Sequence, residues 1–239
     1  MPYFTAYSHL IMGIFMGILA FGGVPALIRA RWGGQSLIFF LFFLSITIYS
    51  FFLSIPLIAF PDNTIVAGWS FVGAVFTMLF VLLFGTQSAP FKINPFFSVY
   101  SRWIRYVLVV LWVPTMYFLI VDFQYPIFNT NGLVFWNANS ISTWILTGSA
   151  SIMAIIFFYL NYTDVALVNE PFSKFKIKIL ALDGALWAIG IFLYFPSHNV
   201  ARTISALIIV GFSFISTSIV FSIPRLTHYF KSSGADPVI

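Results

Sequence analysis

Few residues in this chain could do chemistry inside a bilayer, and Asp183 is the first of them. It sits in Ile177–Phe195, an apolar run long enough to cross a membrane, and no other such run holds a carboxylate away from its ends. An acid in hydrocarbon is costly, so it should face protein, water or a counter-charge. Stepping at helical periodicity, Asp183, Trp187, Gly190 and Tyr194 share one stripe, which we take as the inward face. At ~1.5 Å rise per residue, Asp183 lies about 9 Å into the run. Two chemistries suit it. It is either a carboxylate that handles a proton or cation, or a structural acid that pairs with a base or hydroxyl and fixes two helices in register.

Arg105 is the base within reach of such a pair. It opens a second stripe, Arg105, Val109, Trp112 and Met116, on the run Trp103–Val121. If the two stripes face each other, an Arg105–Asp183 pair lies at one end, with Trp112, Trp187, Tyr194 and Met116 forming an aromatic slot above it. Such a slot could hold a quinone or a lipid. Aromatic stripes also form ordinary core, and that reading stands beside the first.

His9 and His198 are the remaining candidates. Two imidazoles at one end of a bundle could ligate a b-type haem or a metal. No third ligand stands at a diagnostic spacing, so two interfacial polar residues are the plainer alternative. His228 gives no signal.

These side chains need helices to position them, and composition says which kind. The chain is 61% hydrophobic and 7% charged, against about a quarter charged in soluble domains. It cannot solvate itself in water and reads as an integral membrane protein in a lipid bilayer. There are no cysteines, which excludes disulfides, thiolate metal sites and cysteine nucleophiles. The net charge of +5 is spread between apolar runs and is no nucleic-acid signal.

Each crossing needs about 20 apolar residues. The runs that qualify are Phe4–Ile28, Leu37–Phe60, Ile65–Phe84, Trp103–Val121, Ile141–Leu160, Ile177–Phe195 and Thr203–Ile223. Turn chemistry separates them, as at Pro61-Asp62-Asn63 and Asn169-Glu170-Pro171. The fold class is therefore all-α, a polytopic bundle of seven transmembrane helices. Residues 1–230 form one domain and 231–239 a short polar tail. The first run lacks a preceding basic residue and a cleavage site, so it reads as a retained helix.

Of the 11 Lys and Arg residues, all but Arg202 fall on one side of such a bundle. Placing that side in the cytoplasm puts the N-terminus outside and the C-terminus inside. Trp69, Trp136 and Trp144 would then anchor the outer interface, and Trp32 and Trp103 the inner one. Asp122 and Arg202, both at the outer end, are positioned to pair. Gly13 and Gly17, four apart on the first helix, permit close helix approach, within the bundle or against a partner subunit. The longest loop, Asp122–Ser140, is rich in aromatics. It should lie on the membrane, cap the bundle or meet a partner. Asn94-Pro95-Phe96-Phe97-Ser98 and Asn169-Glu170-Pro171-Phe172-Ser173 echo each other, but too briefly to establish a repeat architecture.

Seven helices with an outside N-terminus is also the topology of microbial rhodopsins and G-protein-coupled receptors. Retinal needs a lysine deep in the seventh helix, and residues 203–223 hold none, which excludes a retinal pigment. No acid-Arg-aromatic triplet ends the third run, and no hydrolase, P-loop or zinc motif occurs.

Short loops and sparse intramembrane polarity point to a non-catalytic membrane subunit of a larger complex. A bioenergetic complex of the respiratory oxidase or oxidoreductase type, in a prokaryotic plasma membrane, is the expected setting, with lipid or quinone as the ligand. A small-solute or proton-coupled carrier using Asp183 is the alternative. A haem or metal protein using His9 and His198 is the third reading. Pro56 and Pro114 are the interior prolines that a carrier's broken helices would use.

Overall fold

A computed structural model describes residues 3–29, 31, 34–88, 91, 94–195 and 198–222. The tail 231–239, Arg225, Lys92, Trp32 and His228 lie outside the described residues. Among the described residues, seven helices are long and apolar enough to cross a membrane, and the structure is 83% helical. The protein is thus of multi-pass membrane type.

The first span is α1 (Tyr3–Gly22) followed by α2 (Val24–Arg29), and the second is α3 (Gly34–Phe52) followed by α4 (Ile55–Ala59). The remaining spans are α5 (Thr64–Gly85), α6 (Pro95–Val121), α7 (Ser140–Asp164), α8 (Pro171–Tyr194) and α9 (Val200–Ser222). Proline explains both breaks. Pro25 and Pro56 lack an N–H and start new helices one residue in. Pro25 lies inside the first apolar run and belongs with Pro56 and Pro114. Both breaks fall near span ends, not at mid-membrane.

Helix starts repeat one solution. The side chains of Asn63, Asn94, Asn139 and Glu170 each accept from backbone N–H groups of the first turn, and Pro95 and Pro171 occupy the first helical position. The two echoing segments noted in the sequence are therefore two N-caps of the same design. Glu170 carries its cap as a carboxylate. Hydrogen bonds from Ser173 and from the Phe172 amide hold its carboxyl below the usual range.

Each span packs on its sequence neighbours, and α9 returns to α1, so the bundle closes into a ring. α5 also touches α7, which leaves α6 outside, seated on α5 and α7. Gly13 and Gly17 face α3 inside the bundle. A Cβ at Gly13 would sit 2.7 Å from the Phe51 ring, while one at Gly17 would make ordinary contact with Thr47 at 3.6 Å. The small-residue face thus serves packing within the chain.

The loop after α6 caps one end of the ring. Ile127–Phe128 (β1) and Val134–Phe135 (β2) pair antiparallel around a turn in which Gly132 takes a φ of 77°. The Gly132 carbonyl accepts from the Thr5 amide at 3.2 Å, and the Val134 amide donates to Thr5 Oγ1 at 3.0 Å. Leu133 to Trp136 are buried. Trp136 is therefore not an interfacial anchor. It lies inside the cap, stacked on Phe71 with ring centroids 5.0 Å apart. Trp69, Trp103 and Trp144 are more than half exposed, as anchors would be. Asp122 is held by Asn139, whose Nδ2 donates to it at 2.8 Å, and not by Arg202.

Candidate functional site

α8 passes between α7 and α9 and presents the stripe read from the sequence to the inside of the ring. Its glycines allow this. A Cβ at Gly184 would lie 2.8 Å from the Phe158 backbone nitrogen of α7, and one at Gly190 would collide with Val210 of α9. With both flanks pressed so close, the face between them is turned to the axis.

Two cavities lie along that axis. The first, of about 100 Å³, is lined by α1, α3, α5, α7, α8 and α9 together with Phe91. Its walls are almost wholly apolar, including Met12, Ile46, Met78, Met153 and Leu207. The second, of about 260 Å³, is bounded by Gln35, Ser88, Asn161, Asp183 and Thr217 among apolar neighbours. Phe42, Gly85, Phe157 and Trp187 belong to both. Trp187 stacks on Phe42 at 6.3 Å and meets Phe214 edge-on at 5.1 Å, so these rings form the partition.

Polar groups sit at two places on the first cavity. Under the hairpin cap, His9 Nε2 is 3.1 Å from the Tyr194 hydroxyl, and Trp136 Nε1 donates to that hydroxyl at 2.7 Å. Tyr49 lies edge-on to His9 with centroids 6.3 Å apart. This knot joins α1, α3, α8 and the cap. At the partition, Trp187 Nε1 is buried with no hydrogen-bond partner among the described residues, as is His9 Nδ1.

In the second cavity Asp183 is 2% exposed. Ser216 Oγ lies 3.1 Å from its Oδ1, and Thr217 Oγ1 bonds its Oδ2. Both hydroxyls come from α9, so the acid fixes α8 against α9 through hydroxyls. Asn161 is 1% exposed beside the same space, its Nδ2 donating to the Phe157 carbonyl at 2.7 Å.

The expected Arg105–Asp183 pair does not form, because Arg105 lies half-buried on α6, outside the ring. The inward stripe of α6 is Leu108, Trp112, Thr115 and Leu119, while Val109 is 42% exposed. The Trp112–Trp187 slot is corrected with it. Trp112 is 1% exposed, and its Nε1 donates to the Val75 carbonyl of α5 at 3.1 Å. It therefore belongs to the α5–α6 seam, with Met116 partly buried against the core. Trp187 and Tyr194 do line a cavity, but opposite α3 and α9. His9 and His198 are not brought to one site. His9 is buried against Tyr194, while His198 is exposed and packs edge-on to Phe135 at 6.0 Å. Among the described residues no group of three or more His, Cys, Asp or Glu could hold a metal.

Sequence reasoning missed Tyr49 and Trp136 as members of the knot, Asn161 as a cavity residue, and Ser216 and Thr217 as the acid's partners. The last two stand three and four residues after Ser213 and directly before Ser218, a hydroxyl cluster that could have been set against the lone intramembrane acid. No protein family, characterised protein or solved structure matches the chain.

Proposed function

We propose that this protein binds an apolar, ring-bearing ligand of quinone or lipid type inside its helix ring, and that it does so as a non-catalytic part of a larger membrane complex. The observation that carries the ligand reading is the first cavity. It is apolar, walled by six of the spans, and capped by the His9–Tyr194–Trp136 knot. An apolar space of ~150 Å³ can hold benzene, so about 100 Å³ is on the scale of one ring and well short of a haem. A few polar groups at the edge of an apolar pocket are what fixes a ligand's orientation. The orientation read from Lys and Arg puts the capped end outside the cytoplasm and the Asp183 end toward it.

The test is stabilisation by ligand. A molecule that binds only the folded state raises its melting temperature. Decyl-substituted ring compounds should raise that of the wild type in nanodiscs. They should not raise that of Ala150→Phe, which fills the cavity from a position 1% exposed. No rise with any such compound would end the ligand reading. The complex reading has its own test. Mild extraction should yield a particle well above 27.0 kDa, and a functional monomer would count against it.

A second reading rests on Asp183. A buried carboxylate held by hydroxyls, with no basic partner among the described residues, suits a proton or small cation passing through the second cavity. Asp183→Asn should then abolish flux in proteoliposomes. Unchanged flux removes the acid from any transport step.

A further inference from the structure

The walls of the first cavity carry a more specific message about the ligand, and it rests on the proposal that the cavity binds one. Among the described residues, six buried side-chain polar atoms lack a hydrogen-bond partner. Four are hydroxyls of Ser50, Thr147, Ser151 and Ser213, none of which lines the first cavity. The other two are ring nitrogens, His9 Nδ1 and Trp187 Nε1, and both residues line it. His9 is only 4% exposed. A buried polar group without a partner is destabilising, so two residues carrying one on the walls of the same cavity ask for a reason, Trp187 lining the second cavity as well.

The polarity of each follows from its neighbours. An indole N–H can only donate, so Trp187 presents a donor. For His9, the Tyr194 hydroxyl decides. That oxygen already accepts the Trp136 indole N–H at 2.7 Å. Among the described residues its own hydrogen has one acceptor in reach, His9 Nε2 at 3.1 Å. When the phenol donates there, the imidazole hydrogen resides on Nδ1. The opposite tautomer would leave a buried phenol hydrogen with nothing to bond. His9 therefore also presents a donor.

We infer that the ligand of this cavity carries two hydrogen-bond acceptors set at opposite ends of one ring, which is the chemistry of a para-dicarbonyl, a quinone. The spacing agrees. Trp187 and Tyr194 are seven residues apart on α8, about 10 Å of helical rise, and His9 sits on Tyr194. The oxygens of a para-quinone are about 5 Å apart with C=O bonds of ~1.23 Å. Two hydrogen bonds of ~2.9 Å bring the donor-to-donor span to about 11 Å. A hydrocarbon chain or a lipid tail would leave both donors unmet.

The probes are decyl-1,4-benzoquinone and decylbenzene, which share a tail and a ring and differ in the carbonyls. Titration into nanodiscs gives the affinity of each, and infrared difference spectra report the carbonyl bands. The wild type should bind the quinone at least tenfold more tightly than decylbenzene, with both carbonyl stretches moved to lower frequency. Trp187→Phe keeps the ring and removes the donor. It should cut the quinone-to-decylbenzene ratio about fivefold to tenfold and return one carbonyl band to its free position. His9→Phe should do the same to the other band. Equal affinities for both probes, or a ratio untouched by Trp187→Phe, would overturn the inference while leaving apolar ligand binding intact. Failure of both probes to bind would instead remove the ligand reading beneath it.

Discussion

Trp112 and Trp187 look alike in the sequence. Each lies near the middle of an apolar run, on a stripe that also holds an ionisable residue, and each was a candidate wall of one slot. The structure gives them opposite surroundings. On α6, Trp112 is fully buried and its N–H is spent on the Val75 carbonyl of α5. On α8, Trp187 stands between two cavities with its N–H unmet. The difference is one of helix position. α6 sits outside the ring with a single buried stripe, Leu108, Trp112, Thr115 and Leu119. α8 is pressed by neighbours on both flanks and turns a third face inward. A buried donor that has a partner belongs to the core, whereas one without a partner at a cavity is what the proposed ligand would satisfy.

The comparison breaks most forcefully at the glycines that seat α8. Gly184→Val puts branched carbon into the Phe158 backbone, which cannot rotate away. Overpacking costs about 1–3 kcal/mol where side chains can adjust, and a backbone obstacle puts this site at or above ~3 kcal/mol. Gly148→Val on α7 meets nothing within 4 Å and serves as the matched control. Thermal unfolding in detergent should separate the two variants clearly. Equal melting temperatures would mean that α8 is not held on both sides.

A smaller effect comes from the tryptophans themselves. Trp112→Phe removes a satisfied buried hydrogen bond and should lower stability by about 1 kcal/mol, leaving ligand affinity unchanged. Trp187→Phe removes a donor that has no partner, so apo stability should hold or rise. A destabilised Trp187→Phe and a silent Trp112→Phe would reverse the assignment of core and cavity.

The acid sharpens the same contrast through coupling. If hydroxyls of α9 hold Asp183, then Asp183→Asn and Thr217→Val should be non-additive by more than ~0.5 kcal/mol. Asp183→Asn and Arg105→Gln, on helices that do not share this contact, should add within ~0.3–0.5 kcal/mol. Double-mutant cycles on unfolding free energy read both numbers. A large Arg105 coupling would restore the ion pair expected from sequence.

The seven spans were legible because each is a long apolar run between turn residues, and lipid forces such runs into helices. The inward stripe of α8 was legible for the same reason, since Asp183 had to avoid lipid. What periodicity could not say is which stripe meets which. Arg105 and Asp183 are reachable partners on any bundle that places their helices side by side, and the ring places α7 between them. The knot was hidden for another reason. It draws Trp136 from a loop and His9 from a helix start 127 residues earlier, and no local pattern ties them. Trp136 in particular matched an interfacial anchor by position alone, because its burial depends on a hairpin that Thr5 ties to α1.

The smallest effect tests the far end of α8, where the helix begins. Glu170 caps the first turn with its carboxylate, accepting from the Phe172 and Ser173 amides. Those bonds favour the charged form, so its folded pKa lies below the ordinary 4.5. The sign follows from linkage. The unfolded state takes up a proton first as pH falls, so the cap's contribution is present above the ordinary carboxylate value. It is lost as pH drops through the lower folded one. Glu170→Gln still accepts from one amide but carries no charge for the helix N-terminus to favour. It should be slightly less stable than the wild type at neutral pH and should converge with it in acid. The group is fully exposed, so salt should shrink the gap further. A gap that widened in acid would show that Glu170 is not the charged cap of α8.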